Sequence, residues 1–373
     1  MEEDPHASTL TELEITSRCA IPPGTGVMGR SYAGSIIPLE VYPNIINCTD
    51  DRATLLSMLL LSKSIYNDAE QKLYYNIRLE SPQSHKLFLQ SILDEMRPHL
   101  ASLVRRYSLF QAPVLNGSFN DLLTRALLIF VNLKYLSFWG ISELPSAHVF
   151  PKEIPCPFQL HTFHWPGGRN QIRLAQFLST QHALEVLWLF TPLFEPAQVP
   201  TTSLQNLRAL SGPLKVITQI LPCRDNIICL HWDPLSHTLP VDIHLIPSFS
   251  HIRILSFGIL GARPPLGTVV PLLENLQILE LGRYNGEEST DLYKLMRLHT
   301  LVISYYRPGR ESRINPREAF QKMRRLQKLD LAYEAQFQPE PNSLSYERWT
   351  RDAQESVEIK ASEAVWWREV YLD

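Results

Sequence analysis

Residues 275–282 read NLQILELG. Leu276, Ile278, Leu279 and Leu281 punctuate this octapeptide with polar residues between them, at the spacing of a short strand. Such a stretch is either a buried strand of an enzyme or one tooth of a repeating comb, and the surrounding sequence separates the two.

The pattern apolar-x-x-apolar-x-apolar recurs with starts at Leu133, Leu160, Leu184, Leu207, Ile227, Ile252, Leu276, Leu298 and Leu326. Successive starts are 27, 24, 23, 20, 25, 24, 22 and 28 residues apart, inside the window of leucine-rich repeats. Val104 begins a weaker copy, VRRYSL, and in the unit LRALSG the third apolar site falls to Gly212. One such unit cannot bury its inward-facing side chains, whereas a stack of neighbours closes a continuous core. The fold class expected is therefore α/β: an irregular solenoid with parallel strands on the concave face and helices and loops on the convex face. Helical returns such as LTRALLIFVN alternate with proline-rich ones such as PLFEPAQVPTTSLQN. The asparagine that such repeats usually carry three residues after the third apolar site is missing. Ile141, Gly168, Pro192, Leu235, Leu260, Tyr284, Tyr306 and Glu334 stand there instead, which predicts a less uniform stack.

Upstream of the comb the character changes. Residues 1–34 are rich in Pro, Gly, Ser and Thr with little periodicity, and disorder is expected. Residues 35–80 predict three short helices: one opening near Pro38, a second capped by Asp50 or Asp51 and lined by Leu55, Leu56, Leu59 and Leu60, and a third through Ile65, Ala69 and Leu73. Pro43 falls inside the first of these, where its missing N–H predicts a kink. A helix over 84–97 is expected to turn Leu89, Ile92, Leu93 and Met96 inward. The solenoid is assigned to 81–335. Residues 336–373 are read as a linker and a cap in which Trp349, Trp366 and Trp367 pack over the last repeat.

Composition narrows the function classes. The chain has 373 residues, 45% of them hydrophobic, and a net charge of -3, so no overall field favours nucleic acid or membrane. Apolar runs fall short of a membrane span, and MEEDPHASTL has no apolar core of a signal peptide. Five scattered cysteines fit a reduced, intracellular protein, cytoplasmic or nuclear. GTGVMG at 24–29 lacks the strand before it and the helix after it that a dinucleotide fingerprint requires. His161 and His164 point to opposite faces of a strand, and Cys229 with His231 lacks further ligands, so no metal and no cofactor is expected. With no recognisable catalytic motif, the chain is read as non-catalytic. The residues facing outward from the strands are the candidate binding set: Tyr135, Trp139, His164, Trp188, Phe190, His231, Asp233, Glu280, Lys328 and Asp330. Their aromatics are of the type that anchors protein interfaces. A basic run, Arg307, Arg310, Arg313, Arg317, Lys322, Arg324 and Arg325, reads as a solvated outer face or as a site for an acidic or phosphorylated segment.

A three-helix module ahead of the repeats resembles an F-box protein with leucine-rich repeats, most closely the divergent fungal type. IPLEV (Ile37 to Val41) is similar to the opening of the F-box, and DRATLLSMLLLSKSIYNDA to its leucine-rich second and third helices. EQKLYYNIRL, LASLVRRYSLF and NLKYLSFWG carry the similarity into the repeats, over about 35–335. The resemblance implies a substrate receptor of an SCF-type ubiquitin ligase. Pro38, Leu39, Val41, Ile45, Leu56 and Leu59 would then dock on the adaptor subunit that bridges to cullin, and the repeats would hold the target protein. The alternative is a repeat scaffold whose helices only cap the solenoid.

Overall fold

The computed structural model describes residues 41–61, 63–79, 81–94, 96–110, 117–139, 149–150, 155–167, 172–190, 203–222, 224–233, 247–258, 263–282, 284–304, 314–332, 345–353 and 355–371. Pro38, Leu39, the GTGVMG stretch, Cys223, and Arg307, Arg310 and Arg313 of the basic run lie outside them.

One sheet organises the chain. Its thirteen strands stand in sequence order. They are β1 (Asn76–Leu79), β2 (Arg106–Phe110), β3 (Tyr135–Trp139), β4 (Thr162–Trp165), β5 (Val186–Leu189), β6 (Ala209–Gly212), β7 (Cys229–Trp232), β8 (Ile254–Phe257), β9 (Ile278–Leu281), β10 (Thr300–Ile303), β11 (Lys328–Ala332), β12 (Ser345–Thr350) and β13 (Val357–Lys360). Pairing from β1 to β11 is parallel throughout, and β12 and β13 pair antiparallel. Each of β2 to β11 starts two residues after the first apolar site of its repeat. NLQILELG is thus a tooth of the comb, and the architecture is a leucine-rich-repeat type of solenoid. β1 adds a unit ahead of Val104: Tyr74, Ile77 and Leu79 obey the same spacing in the sequence YYNIRL.

The apolar sites share one face of the sheet and form the main core. Leu133, Leu136 and Phe138 of one repeat are fully buried, as are Leu276, Leu279 and Leu281 of another. The returns close over them through Leu123 and Leu127, then Leu174 and Leu178, then Val216, Ile217 and Ile220. Stacking brings each repeat's backbone into line with the last. Lys134 N donates to Arg105 O, His161 N to Lys134 O and Glu185 N to His161 O, and the chain of bonds runs on to Gln327 N and His299 O.

The missing asparagines have a substitute one residue before the first apolar site. Asn132 donates to Ser102 O at 2.7 Å, Asn206 to His182 O at 2.8 Å, Asn226 to Gln205 O at 2.8 Å and Asn275 to Ser250 O at 2.7 Å. Each amide satisfies a turn carbonyl of the preceding repeat that no strand reaches. Arg297, at the same place in the next unit, donates to Asn275 Oδ1. Gly212, read as a degraded site, has a packing reason. A Cβ there would stand 2.4 Å from Leu189 O and 3.2 Å from Val216 Cγ1, so glycine lets the following helix close against the sheet.

Among the described residues, three helices precede β1: α1 (Tyr42–Cys48), α2 (Arg52–Leu59) and α3 (Lys63–Tyr75). Pro43 lies in the first turn of α1, where no helical bond uses its N–H, so the expected kink is not there. Asp51 caps α2, its carboxylate accepting from Thr54 N at 2.8 Å. Ile46, Leu55, Ile65, Ala69 and Leu73 form a core of their own. The module leans on the repeats through His99, whose Nε2 lies 3.1 Å from buried Glu70, and through Tyr74 against Phe88. The next helix, α4 (Pro82–Ile92), is shorter than the stretch expected over 84–97. Phe88, Leu89 and Ile92 are buried, but Leu93 is half-buried and Met96 is 84% exposed, because the helix has ended before it.

Candidate functional site

The second face of the sheet, expected to be concave, is the open face: among the described residues, the returns between β2 and β11 pack on the opposite side. Strand register lays its side chains in rows. One row runs Arg106, Tyr135, Thr162, Val186, Ala209, Cys229, Ile254, Ile278, Thr300, Lys328. The next runs Ser108, Ser137, His164, Trp188, Ser211, His231, Ser256, Glu280, Val302, Asp330. Period-two alternation therefore places Tyr135, Trp139, His164, Trp188, His231, Glu280, Lys328 and Asp330 on this face. Phe190 and Asp233 follow directly on β5 and β7.

Toward β3–β5 the face is aromatic. His164 is buried between Tyr135 and Trp139, each ring centroid 5.3 Å away in a T-shaped contact, and its Nδ1 lies 3.3 Å from Ser137 Oγ. Trp139 meets Trp188 at 5.7 Å and Phe190 at 5.8 Å. Tyr135, Trp139, Trp188 and Phe190 are half-buried and still present ring surface. Two arginines missing from the expected set belong here: Arg106 lies over Tyr135 at 4.3 Å and Arg78 over Phe110 at 4.7 Å. Neither has a carboxylate partner among the described residues. Their place in the sequence, two residues after an apolar start for Arg106 and four after Tyr74 for Arg78, is the signal that would have found them.

Toward β7–β11 the face is polar beneath a cover. Glu280 Oε2 accepts from Ser256 Oγ at 2.7 Å, and Oε1 accepts from Ser304 Oγ at 2.6 Å. Each serine has spent its hydrogen, so Ser256 accepts from His231 Nδ1 at 2.9 Å and Ser304 from the Tyr346 hydroxyl at 3.1 Å. Arg368 Nη2 donates to Glu280 Oε1 at 2.5 Å. Burial alone would raise the Glu280 carboxyl. The Arg368 charge and the bonds from Arg368, Ser304 and Ser256 outweigh it and hold the group below its ordinary range. Burial, helped by Arg368, pushes His231 down to about 4, which leaves it neutral. The Trp188 ring stacks on His231 at 5.5 Å and joins the two halves. At the far end Arg348 holds Asp330 through two bonds of 2.8 and 2.7 Å, directly across the β11–β12 pair.

The cover is the C-terminal segment. Trp349 packs on the main core near the last repeat, as a cap would. Trp367 does not: it is fully buried on the open face, in one cluster with Val186, Ala209, Cys229, Ile254 and Ile278, and Trp366 is 41% exposed. The structure thus buries His164, Glu280 and Asp330 and leaves His231, Asp233 and Lys328 half-buried. Of the candidate set, the β3–β5 aromatics keep most accessible ring surface. Sequence reasoning missed Trp367 and Arg368 as members of this face, because nothing local marks a contact made across 88 residues.

Of the residues that the resemblance assigns to an adaptor contact, Val41 is 39% and Leu56 47% exposed, and Ile45 and Leu59 are half-buried. Leu60 at 88% and Leu61 at 67% add to the exposed apolar surface.

No known protein family and no curated protein matches the chain. Among solved structures it is similar to TLR13, a leucine-rich-repeat protein, in its complex with ssRNA13, at 17% identity and a TM-score of 0.39. That match covers 64% of this chain and 37% of the other, so the chain spans little more than a third of that protein's length. A protein from Bacteroides fragilis aligns at 12% identity and a TM-score of 0.35, over 64% of this chain and 69% of that one.

Proposed function

We propose that the chain is a non-catalytic substrate receptor of an SCF-type ubiquitin ligase, intracellular, with the helical module docking on the adaptor and the open face of the repeats holding the target protein. A solenoid that presents a long sheet face is an architecture suited to a protein-binding scaffold. The observation that carries the finer reading is the apolar surface left on residues 41–61. Ile46 and Leu55 already fill the module's own core, yet Val41, Leu56, Leu60 and Leu61 remain exposed. A module built only to cap the solenoid would turn such side chains toward the first repeat. Bringing a bound target to the ligase supplies proximity rather than chemistry.

Calorimetric titration of the chain with purified adaptor subunit tests this, beside a Leu56→Asp, Leu60→Asp variant. Both positions are exposed, so the variant keeps the fold. Binding that is lost in the variant supports the receptor. No binding by the unaltered chain overturns it and leaves the second reading, a scaffold whose helices cap the stack. The docking of Glu70 on His99 favours that second reading.

A further inference from the structure

The centre of the open face is filled by the helix Trp366–Tyr371 in the manner of a bound ligand. Trp367 is buried in one apolar cluster with the first-row side chains of five consecutive strands, β5 to β9, and Trp188 and Val365 pack against that cluster. One residue on, Arg368 reaches Glu280, a carboxylate only 1% exposed. The site is therefore an apolar trough that takes a large ring, with a recessed anion beside it that takes a cation.

Two observations separate this trough from the rest of the fold. Its apolar cluster is distinct from the main core, which lies on the opposite face of the sheet. Every strand that lines it already has a parallel neighbour on both sides, so the helix contributes no sheet pairing. The helix itself is six residues long, too short to be stable alone, and Val370 is 63% exposed. The trough holds it through the Trp367 ring and the Arg368 cation, and the chain just before it is anchored by Ala364, buried in one cluster with Val302 and Tyr346.

We infer that the trough is a docking site for helical segments carrying an aromatic residue followed by a cation, that residues 366–371 are its resident occupant, and that a partner segment of this chemistry engages the face by displacing them. The inference rests on reading the repeats as a protein-binding face and is independent of the adaptor. A tethered occupant acts at an effective concentration of roughly millimolar order, so a partner's apparent affinity is lowered until the occupant leaves. Removing the charge pairing of Arg368 would leave Glu280 buried without its cation, and the same requirement selects a cation in the incoming segment.

The test uses the full chain and a fluorescent peptide of sequence ASEAVWWREVYLD, residues 361–373, read by anisotropy. A Trp367→Ala, Arg368→Ala variant, whose own helix is released, is expected to bind the peptide at least tenfold more tightly than the unaltered chain. Adding Glu280→Gln to that variant is expected to weaken the peptide at least tenfold, since the trough stays but its anion is gone. Equal binding by the variant and the unaltered chain overturns the inference, as does no binding by a variant that still melts cooperatively. A variant that no longer folds overturns it too, because the helix is then part of the fold rather than an occupant. The adaptor titration involves none of these residues, so failure of either experiment leaves the other reading standing.

Discussion

Leu279 and Glu280 are neighbours in β9 and both are buried, but by different parts of the chain. Leu279 faces the main core, where the adjoining repeats and their returns enclose it. Glu280 faces the other way and is covered by Arg368, 88 residues later. The core face is closed by near neighbours in sequence, repeat after repeat, and is continuous. Among the described residues, the open face is covered in its C-terminal part by the terminal segment, and toward β1–β4 it presents arginines and aromatic rings. Stability therefore belongs to the first face, and the recognition proposed above would belong to the second.

The comparison is most easily broken by a cavity. Leu279→Ala is expected to cost about 2–5 kcal/mol by chemical denaturation. Ile278→Ala, one residue away on the open face, is expected to cost less, since its cavity opens only beneath the terminal helix. Equal costs would mean that the cover is as integral as the core.

Acid probes the core face at its first repeats. His85 is fully buried between α4 and β2. Its Nε2 lies 3.0 Å from the Leu79 carbonyl, which can only accept, so Nε2 carries the hydrogen and Nδ1 accepts from the Tyr107 hydroxyl at 3.1 Å. Burial pushes this histidine down from 6.5 to about 4, opposed by the bond to Leu79. Between those two values the unfolded chain takes up a proton that the folded chain refuses. Its contribution is fully present above about 6.5 and is lost as pH falls toward about 4, amounting to about 3 kcal/mol. The urea midpoint of the unaltered chain should fall more steeply across that window than that of His85→Gln. Parallel profiles would contradict the burial.

Restoring the repeat pattern at Gly212 sharpens the comparison in the opposite sense. Gly212→Ala is expected to destabilise by about 1–3 kcal/mol, and Gly212→Leu by more, since the added carbon meets Leu189 O. A gain in melting temperature would show that the site had merely decayed. The smallest effect is expected for Asn275→Ala, which removes one amide from the turn ladder and should cost about 1 kcal/mol.

These contrasts explain what could be read in advance. The starts from Val104 to Leu326 located ten strands because each repeat closes on its neighbours, and local spacing records that closure. The unit at Tyr74 is harder to see although YYNIRL obeys the same rule, because an aromatic stands at the first apolar site. The asparagines before Leu133, Leu207, Ile227 and Leu276 are plain in the sequence, but they stand at a different place in the repeat from the usual ladder. Outward-facing residues follow from alternation, and strand register puts the candidate set on the face opposite the main core. Which of them stay accessible was not legible. That depends on where Trp367 comes to rest, and a single long-range contact leaves no periodic trace.

Hydrogen exchange on the full chain tests the division most directly, comparing Ile278–Leu281 with Trp366–Tyr371 at neutral pH. The account predicts that the terminal helix exchanges by local opening, at least a hundredfold faster than the strand beneath it, with the strand protected to the level of global unfolding. Equal protection of helix and strand would contradict it, and would make the two faces one cooperative unit.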